Sequence, residues 1–319
     1  MRVMAETYPR SLSEFERQFA SEHACRDYLM QLRWPGGFCC PGCGGGEFWT
    51  SRRGLLVCRD CQRQVSVTAG TIFQGSHKPL SQWFRAMWYV TGSKSGASAL
   101  GLQRILGLGS YRTAWAWLHK LRRAMVRPGR DRLAGRVEVD ESYLGARQEG
   151  SHGRGAGKAL VVIAAQEDGA KVGRVRMARV PNASAKSLQR FVTEAVEPGS
   201  VVHTDGWAGY AGLVGKGYRH EVSAQGRLDL VGAEEDLLPR VHHVVSLLKR
   251  WLMGTHHGAV SQEHLDYYLD EFTFRFNRRT SQYRGKLFYR LIEQATQVAP
   301  APWDQLAQGI RGRKPDHDQ

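Results

Sequence analysis

Two Cys-x-x-Cys pairs, Cys40-Pro-Gly-Cys43 and Cys58-Arg-Asp-Cys61, constrain what the first part of this chain can fold into more than any other feature. Thiolates paired in this way on two tight knuckles supply four soft ligands in a tetrahedral array, the ligand pattern of a structural zinc ribbon. With sulfur in all four positions the ion has no open site, so one structural Zn²⁺ would fold and present a surface and do no chemistry. A redox role needs only one such pair. Cys39 is out of register and Cys25 falls on a predicted helix, so both are read as packing residues. All six cysteines lie between positions 25 and 61, which is no whole-chain disulfide framework and points to a reducing compartment.

A chain of 319 residues is long enough for two or three domains, one with a substantial core. Its 45 Lys and Arg against 30 Asp and Glu leave a formal charge of +15, a footprint suited to a polyanion, with nucleic acid the leading partner. No apolar run reaches the ~18 residues of a membrane span, and the N-terminus lacks the apolar segment of a signal peptide. No membrane is therefore expected as a partner, and the chain is read as cytoplasmic.

Ser11 and Glu14 make a capping box, and Phe15, Phe19, Tyr28, Leu29 and Leu32 recur at helical spacing, predicting one N-terminal helix that ends near Trp34-Pro35. A Gly- and Cys-rich stretch of knuckles and short strands follows. The segment SALGLQRILGLGSYRTAWAWLHKLRRAMV reads as helix, Gly-containing turn and second helix, the spacing of a helix-turn-helix. Arg104, Arg112, Lys120, Arg122 and Arg123, interleaved with Trp115 and Trp117, are its candidate DNA contacts. The other reading of the same residues is a helical connector with aromatics in the core and charges in solvent. The basic, breaker-rich linker VRPGRDRLAGR places a boundary near 130. Beyond it, RVEVDESYLG, KALVVIAAQE and GRVRMARV read as strands, SAKSLQRFVTEAV as a helix and VVHTDGWAGY as a further strand. Residues 226–240 are expected to be an irregular loop, followed by helices to about 295 and a polar tail.

Val137-Glu138-Val139-Asp140 alternates, so Glu138 and Asp140 share one strand face while the valines look into a core. Carboxylates on an apolar strand are costly to bury unless paired or bound to metal. Asp205 ends an apolar strand before Gly206, and two such acids suggest convergence on divalent cations. Downstream, Val241, Val244, Val245, Leu248 and Leu252 form a helical stripe. His242 and Lys249 lie at the edge of that stripe, and His243 and Arg250 point away from it. His242 is either a third ligand delivered from a helix or a hydrogen-bonded packing residue.

Asp140 in VEVDESYLG, Asp205 in HTDGWAGY, the run SLLKRWLMGTHHGAVSQEHLDYYLDEFTFRFNRR and the N-terminal CPGCGG, CRDCQRQVSVTAGTIF and PLSQWFRAMW resemble the DDE-type transposases of bacterial insertion sequences, family fifteen-ninety-five. The resemblance covers about 10 to 295. It implies an α/β fold: an RNase H-like mixed sheet with flanking helices over 131–298, after an N-terminal helical segment (1–36), a zinc ribbon (37–76) and a helix-turn-helix-like region (77–130), with a polar tail at 299–319. It also implies two divalent cations, Mg²⁺ or Mn²⁺, held by Asp140, Asp205 and His242. His242 stands where many members carry Glu or Asn, and Lys249 matches the family's basic residue near the scissile phosphate. Double-stranded DNA, as terminal inverted repeats and target, would be the partner of a homodimer or higher assembly, nucleoid-associated in a bacterial cytoplasm. Lys249 and Arg250 join the candidate DNA contacts, as do Arg275, Arg278 and Arg279, while Phe272, Phe274 and Phe276 are read as core. Two alternatives stay open: a catalytically inactive DNA-binding regulator or domesticated transposase, and a metal-dependent nuclease that never joins ends.

Overall fold

The computed structural model describes residues 7–127, 129–145, 157–223, 237–258 and 260–309. The chain divides into two compact units, one joining the residues up to Arg127 with those from Thr280 onward, the other spanning Pro128–Arg279. In the first, the Ser11 hydroxyl accepts the N–H of Glu14 at 3.2 Å and starts α1 (Leu12–Gln18). The hydroxyl of Ser21 then accepts the N–H of Ala24 at 3.1 Å and starts α2 (Glu22–Arg33). The single helix predicted here is thus two, because Ser21 offers the backbone a cap in place of helix continuation. Strands β1 (Phe48–Thr50), β2 (Leu56–Cys58) and β3 (Gln64–Val65) form an antiparallel sheet over Phe38, Leu56 and Val65.

Helix α3 (Leu80–Gly92) follows Pro79, whose ring has nothing to cap with; the carboxylate of Glu22 accepts the N–H groups of Leu80 and Ser81 instead, at 2.8 and 3.0 Å. Helix α4 (Ala99–Leu106) ends on Gly107 at φ +59°, and α5 (Tyr111–Ala124) begins after Ser110. The indoles of Trp83 and Trp117 stack at 3.8 Å and join α3 to α5.

In the second unit, β4 (Arg136–Leu144), β5 (Ala159–Asp168) and β6 (Lys171–Val180) run antiparallel. After α6 (Ala185–Ala195), β7 (Val201–Thr204) and β8 (Arg219–Val222) add parallel strands on the other side of β4, giving the order β6-β5-β4-β7-β8. This is the expected RNase H-like mixed sheet with flanking helices, in a chain whose N-terminal part carries the four-cysteine ribbon. Val137 and Val139 face a core shared with Val162, Leu188 and Val202. Strand β7 stops short of the predicted Tyr210 because Gly206 turns at φ +88° and Ala208–Lys216 winds into a 3-10 helix. No strand is predicted where β8 forms; its burial does not alternate, so no pattern marks it.

The loop predicted at 226–240 lies outside the described residues up to 236, and its last residues, from Pro239, begin α7 (Pro239–His256). Helix α8 (Leu265–Phe276) buries Phe272, Phe274 and Phe276 as predicted. The first unit is completed by α9 (Arg284–Ala295) and α10 (Trp303–Ala307). Phe288 of α9 meets Phe15 edge-on at 5.3 Å, so this helix belongs to the first unit, whereas the sequence groups it with the sheet. The segment read as a polar tail carries α10 with Leu306 buried; residues 310–319 lie outside the described residues. No helix of the described residues is long and apolar enough to cross a membrane.

Candidate functional site

Cys40 and Cys43 come from the knuckle before β1, Cys58 from the end of β2 and Cys61 from the turn after it. Their sulfurs all lie within 4.8 Å of one another, with Cys40 and Cys61 at 3.6 Å and Cys43 and Cys58 at 3.5 Å. Sulfurs at ~2.3 Å from a tetrahedral ion stand about 3.8 Å apart, so this donor set fits such an ion with little movement. The Gly42 N–H points at the Cys40 sulfur at 3.4 Å and, with the Cys43 N–H and the neighbouring sulfurs, lowers that thiol to about 6. Against the Gly45 N–H, the sulfurs around Cys43 raise its thiol to about 12, because thiols sharing one site cannot all ionise without a cation between them. Cys25 packs inside α2 with its sulfur against the Phe19 carbonyl, as predicted, and burial raises its thiol to about 12. Cys39 is exposed, so it is not the packing residue the sequence implies.

Glu138 is turned away from solvent. Its carboxylate, 2% exposed, accepts the N–H groups of Arg240 and Val241 at 2.8 and 2.9 Å and pairs with the Arg240 guanidinium at 2.9 Å. Helix α7 begins after Leu238 with no side-chain cap of its own, so a carboxylate from β4 satisfies its first turn. Arg240 also reaches Glu167 at 2.8 Å, and Glu167 in turn pairs with Arg136 at 3.2 Å. This cluster has no local sequence signature beyond the acid–apolar alternation of β4.

The consequence is the placement of His242. Its Nε2 lies 3.4 Å from the Asp140 carboxylate, with the imidazole 47% and the carboxylate 18% exposed. Glu138 pairs with His203 across β4 and β7, and two residues further along stand Asp140 in β4 and Asp205 just past the end of β7. Burial raises the Asp140 carboxyl and the Asp205 charge adds to this, while the Glu141 N–H and His242 oppose it. Asp205 is exposed, and its carboxylate accepts the Trp207 N–H at 3.0 Å. Sequence reasoning missed Tyr210, which is fully buried and donates its hydroxyl to Glu141 at 2.8 Å. Burial, with Glu141, Asp140 and Asp205 nearby, pushes that phenol far up, so it stays a donor. Gly209 in the same DGWAGY turn marks the close approach: a Cβ there would stand 2.7 Å from Leu188.

Among the described residues only the four cysteines bring three or more candidate ligand atoms within 4.8 Å of one another. The acids and His242 are set wider.

Lys249, Arg250 and His243 are exposed on α7. In the helical pair, Arg104 and Arg112 are exposed, with Arg112 over the Trp303 ring at 3.8 Å. Lys120 and Arg123 are half-buried, and burial lowers the Lys120 ammonium. Arg122 is 1% exposed and cannot reach a phosphate, which corrects its reading as a DNA contact. The FNRR segment also makes contacts within the protein, with Arg279 exposed. Asn277 accepts the Val175 N–H at 2.7 Å and donates to its carbonyl at 3.0 Å, and Arg279 donates to Val172 and Gly173. These residues clamp the edge strand β6, while Arg275 pairs with Glu271 at 2.9 Å and Arg278 lies over Phe274.

Among solved structures, the simian T-cell lymphotropic virus intasome in complex with PP2A regulatory subunit B56 gamma aligns at 14% identity and a TM-score of 0.30, over 58% of this chain and 70% of that one. At that score the likeness carries no argument. An uncharacterized protein in transposable element ISH50 of Halobacterium salinarum is 28% identical over 281 residues, 81% of this chain and 92% of that protein. Residues 20–64 match the transposase zinc-ribbon domain and residues 132–277 the ISXO2-like transposase domain. The chain therefore carries a transposase zinc-ribbon domain followed by an ISXO2-like transposase domain.

Proposed function

We propose that this chain binds the terminal inverted repeats of its element and carries out metal-dependent DNA strand cleavage and strand transfer. The observation that supports this most is the docking of α7 on β4, which sets His242 3.4 Å from Asp140 beside the strand end that bears Asp205. Two divalent cations at Asp140, Asp205 and His242 would activate the attacking oxygen and stabilise the leaving oxygen of an in-line phosphoryl transfer. In this reading Asp140, Asp205 and His242 would hold the ions, and Lys249 would meet a phosphate as a point charge. The imidazole serves as a neutral ligand and favours Mn²⁺ over Mg²⁺. The four cysteines hold one structural zinc, and the ribbon with α4 and α5 engages the element's ends, two copies or more acting together on DNA in the cytoplasm.

The same contact also favours a second reading. A His242 that pairs with Asp140 in place of a cation would leave a protein that binds ends and regulates without cutting. Strand cleavage and strand transfer on DNA bearing the element's own end, in Mg²⁺ and in Mn²⁺, separate the two. Wild type is expected to cut and join, with more activity in Mn²⁺. Asp140→Ala and Asp205→Ala should abolish both steps at unchanged thermal stability, and His242→Ala should reduce them at least tenfold. Cleavage retained by Asp140→Ala would sink the assignment, end binding without cleavage in either metal would favour the regulator, and cleavage without joining would indicate a nuclease.

A further inference from the structure

We propose that Trp207 is a stacking platform for one unpaired DNA base beside Asp205, an inference that rests on the transposase reading above. Trp207 is 51% exposed although it stands two residues from that carboxylate, in the turn that closes β7. Its ring is held in place: the indole N–H donates to the Ala183 carbonyl at 2.9 Å, and the backbone N–H donates to Asp205 at 3.0 Å. Gly209 leaves room for it, since a Cβ there would stand 3.0 Å from the indole Cδ1. Gly206, at φ +88°, folds the turn so tightly that its own Cβ would stand 2.6 Å from the Val222 side chain. Val222 is itself 49% exposed, so this turn carries an open indole face with a second exposed apolar side chain close to Gly206.

A rigid, half-open indole loses little freedom when something flat settles on it. Every nucleobase has such a face, and stacking needs no base-specific hydrogen bond. In a paired duplex that face is covered, so the occupant is a base unpaired or flipped out next to the phosphate under attack. The formal charge of +15 favours a polyanion as the occupant over another apolar protein surface.

The test measures binding of the full-length chain to two synthetic duplexes with Ca²⁺ present. One duplex is blunt; the other ends in a short single-stranded overhang carrying 2-aminopurine. Wild type is expected to prefer the overhang and to quench the 2-aminopurine. Trp207→Ala should lose that preference by roughly 5- to 150-fold, the equivalent of about 1–3 kcal/mol per stacked base. Trp207→Phe keeps a flat face and should retain most of the preference and the quench, with both variants melting as wild type does. Three results would overturn the proposal: no overhang preference in wild type, an alanine variant that keeps preference and quench, or one that weakens both duplexes by the same factor. The last would give this face to the duplex backbone or to a protein. Because binding is read, a chain that never cuts DNA still passes, whereas loss of cutting in Asp140→Ala with the overhang preference intact bears only on the metal reading.

Discussion

Glu138 does more for the site than its place outside the ligand set implies. Removing a buried carboxylate strands the group it paired with, which costs about 3–5 kcal/mol in a fully buried pair. Arg240 is 19% exposed and keeps Glu167 at 2.8 Å, so Glu138→Ala should fall at the lower end, about 3 kcal/mol, read by urea unfolding. Glu138→Gln keeps an acceptor for the α7 N–H groups and loses only the charge, for about 1–2 kcal/mol. The pair of variants also separates stability from positioning. If the first turn of α7 sets His242 against Asp140, the alanine variant needs more Mn²⁺ for half-maximal cleavage even at temperatures where it is fully folded. An unchanged metal requirement in a folded Glu138→Ala would leave Glu138 a purely structural residue.

Helices α3 and α7 are built alike: neither has a capping side chain at its start, and each borrows a carboxylate from elsewhere, Glu22 and Glu138. The clamp of Asn277 on β6 is a third device of this kind, an amide that satisfies both backbone groups of Val175 on an edge strand. Asn277→Ala leaves that N–H and carbonyl without their partner, which should cost about 1–3 kcal/mol. It also opens the edge, so light scattering should show self-association that wild type lacks; a monodisperse variant of unchanged stability would refute the clamp. These devices mark the limit of what the sequence discloses. The ribbon was legible because its ligand spacing is local chemistry, and β4 to β6 because apolar alternation repeats every two residues. Asp140 and Asp205 are singled out by the family resemblance and not by the strand pattern, since Asp205 stands between Thr204 and Gly206 while Glu138, flanked by two valines, fits that pattern better. Glu138 reaches a helix 102 residues downstream, and Asn277 a strand 102 residues upstream, so no window of sequence contains either pair. The bonds that Arg279 donates to β6 are hidden for the same reason: charge is visible in a sequence, and its backbone partners are not.

Across the whole chain, the division of labour between charge and metal can be tested in a single titration. The ribbon's buried core consists of Phe38, Leu56 and Val65 with Cys40 and Cys58, too few apolar groups to hold three short strands without a cross-link. The second unit rests on a separate core of sixteen buried side chains around Val137, Val139 and Val202 and contains none of the cysteines. A strong zinc chelator should therefore make the 37–67 region protease-sensitive while the melting of the Pro128–Arg279 unit stays where it was. A loss of both together would mean that the second unit depends on the ribbon for its stability. Duplex binding reports on the same event through salt. Each phosphate contact contributes about −0.9 to the slope of log affinity against log salt, so a shallower slope after chelation counts the contacts the ribbon makes. If the slope is unchanged while proteolysis confirms that the ribbon has opened, the basic residues that meet DNA lie on the helices and on α7, and the ribbon serves to hold structure rather than to read an end.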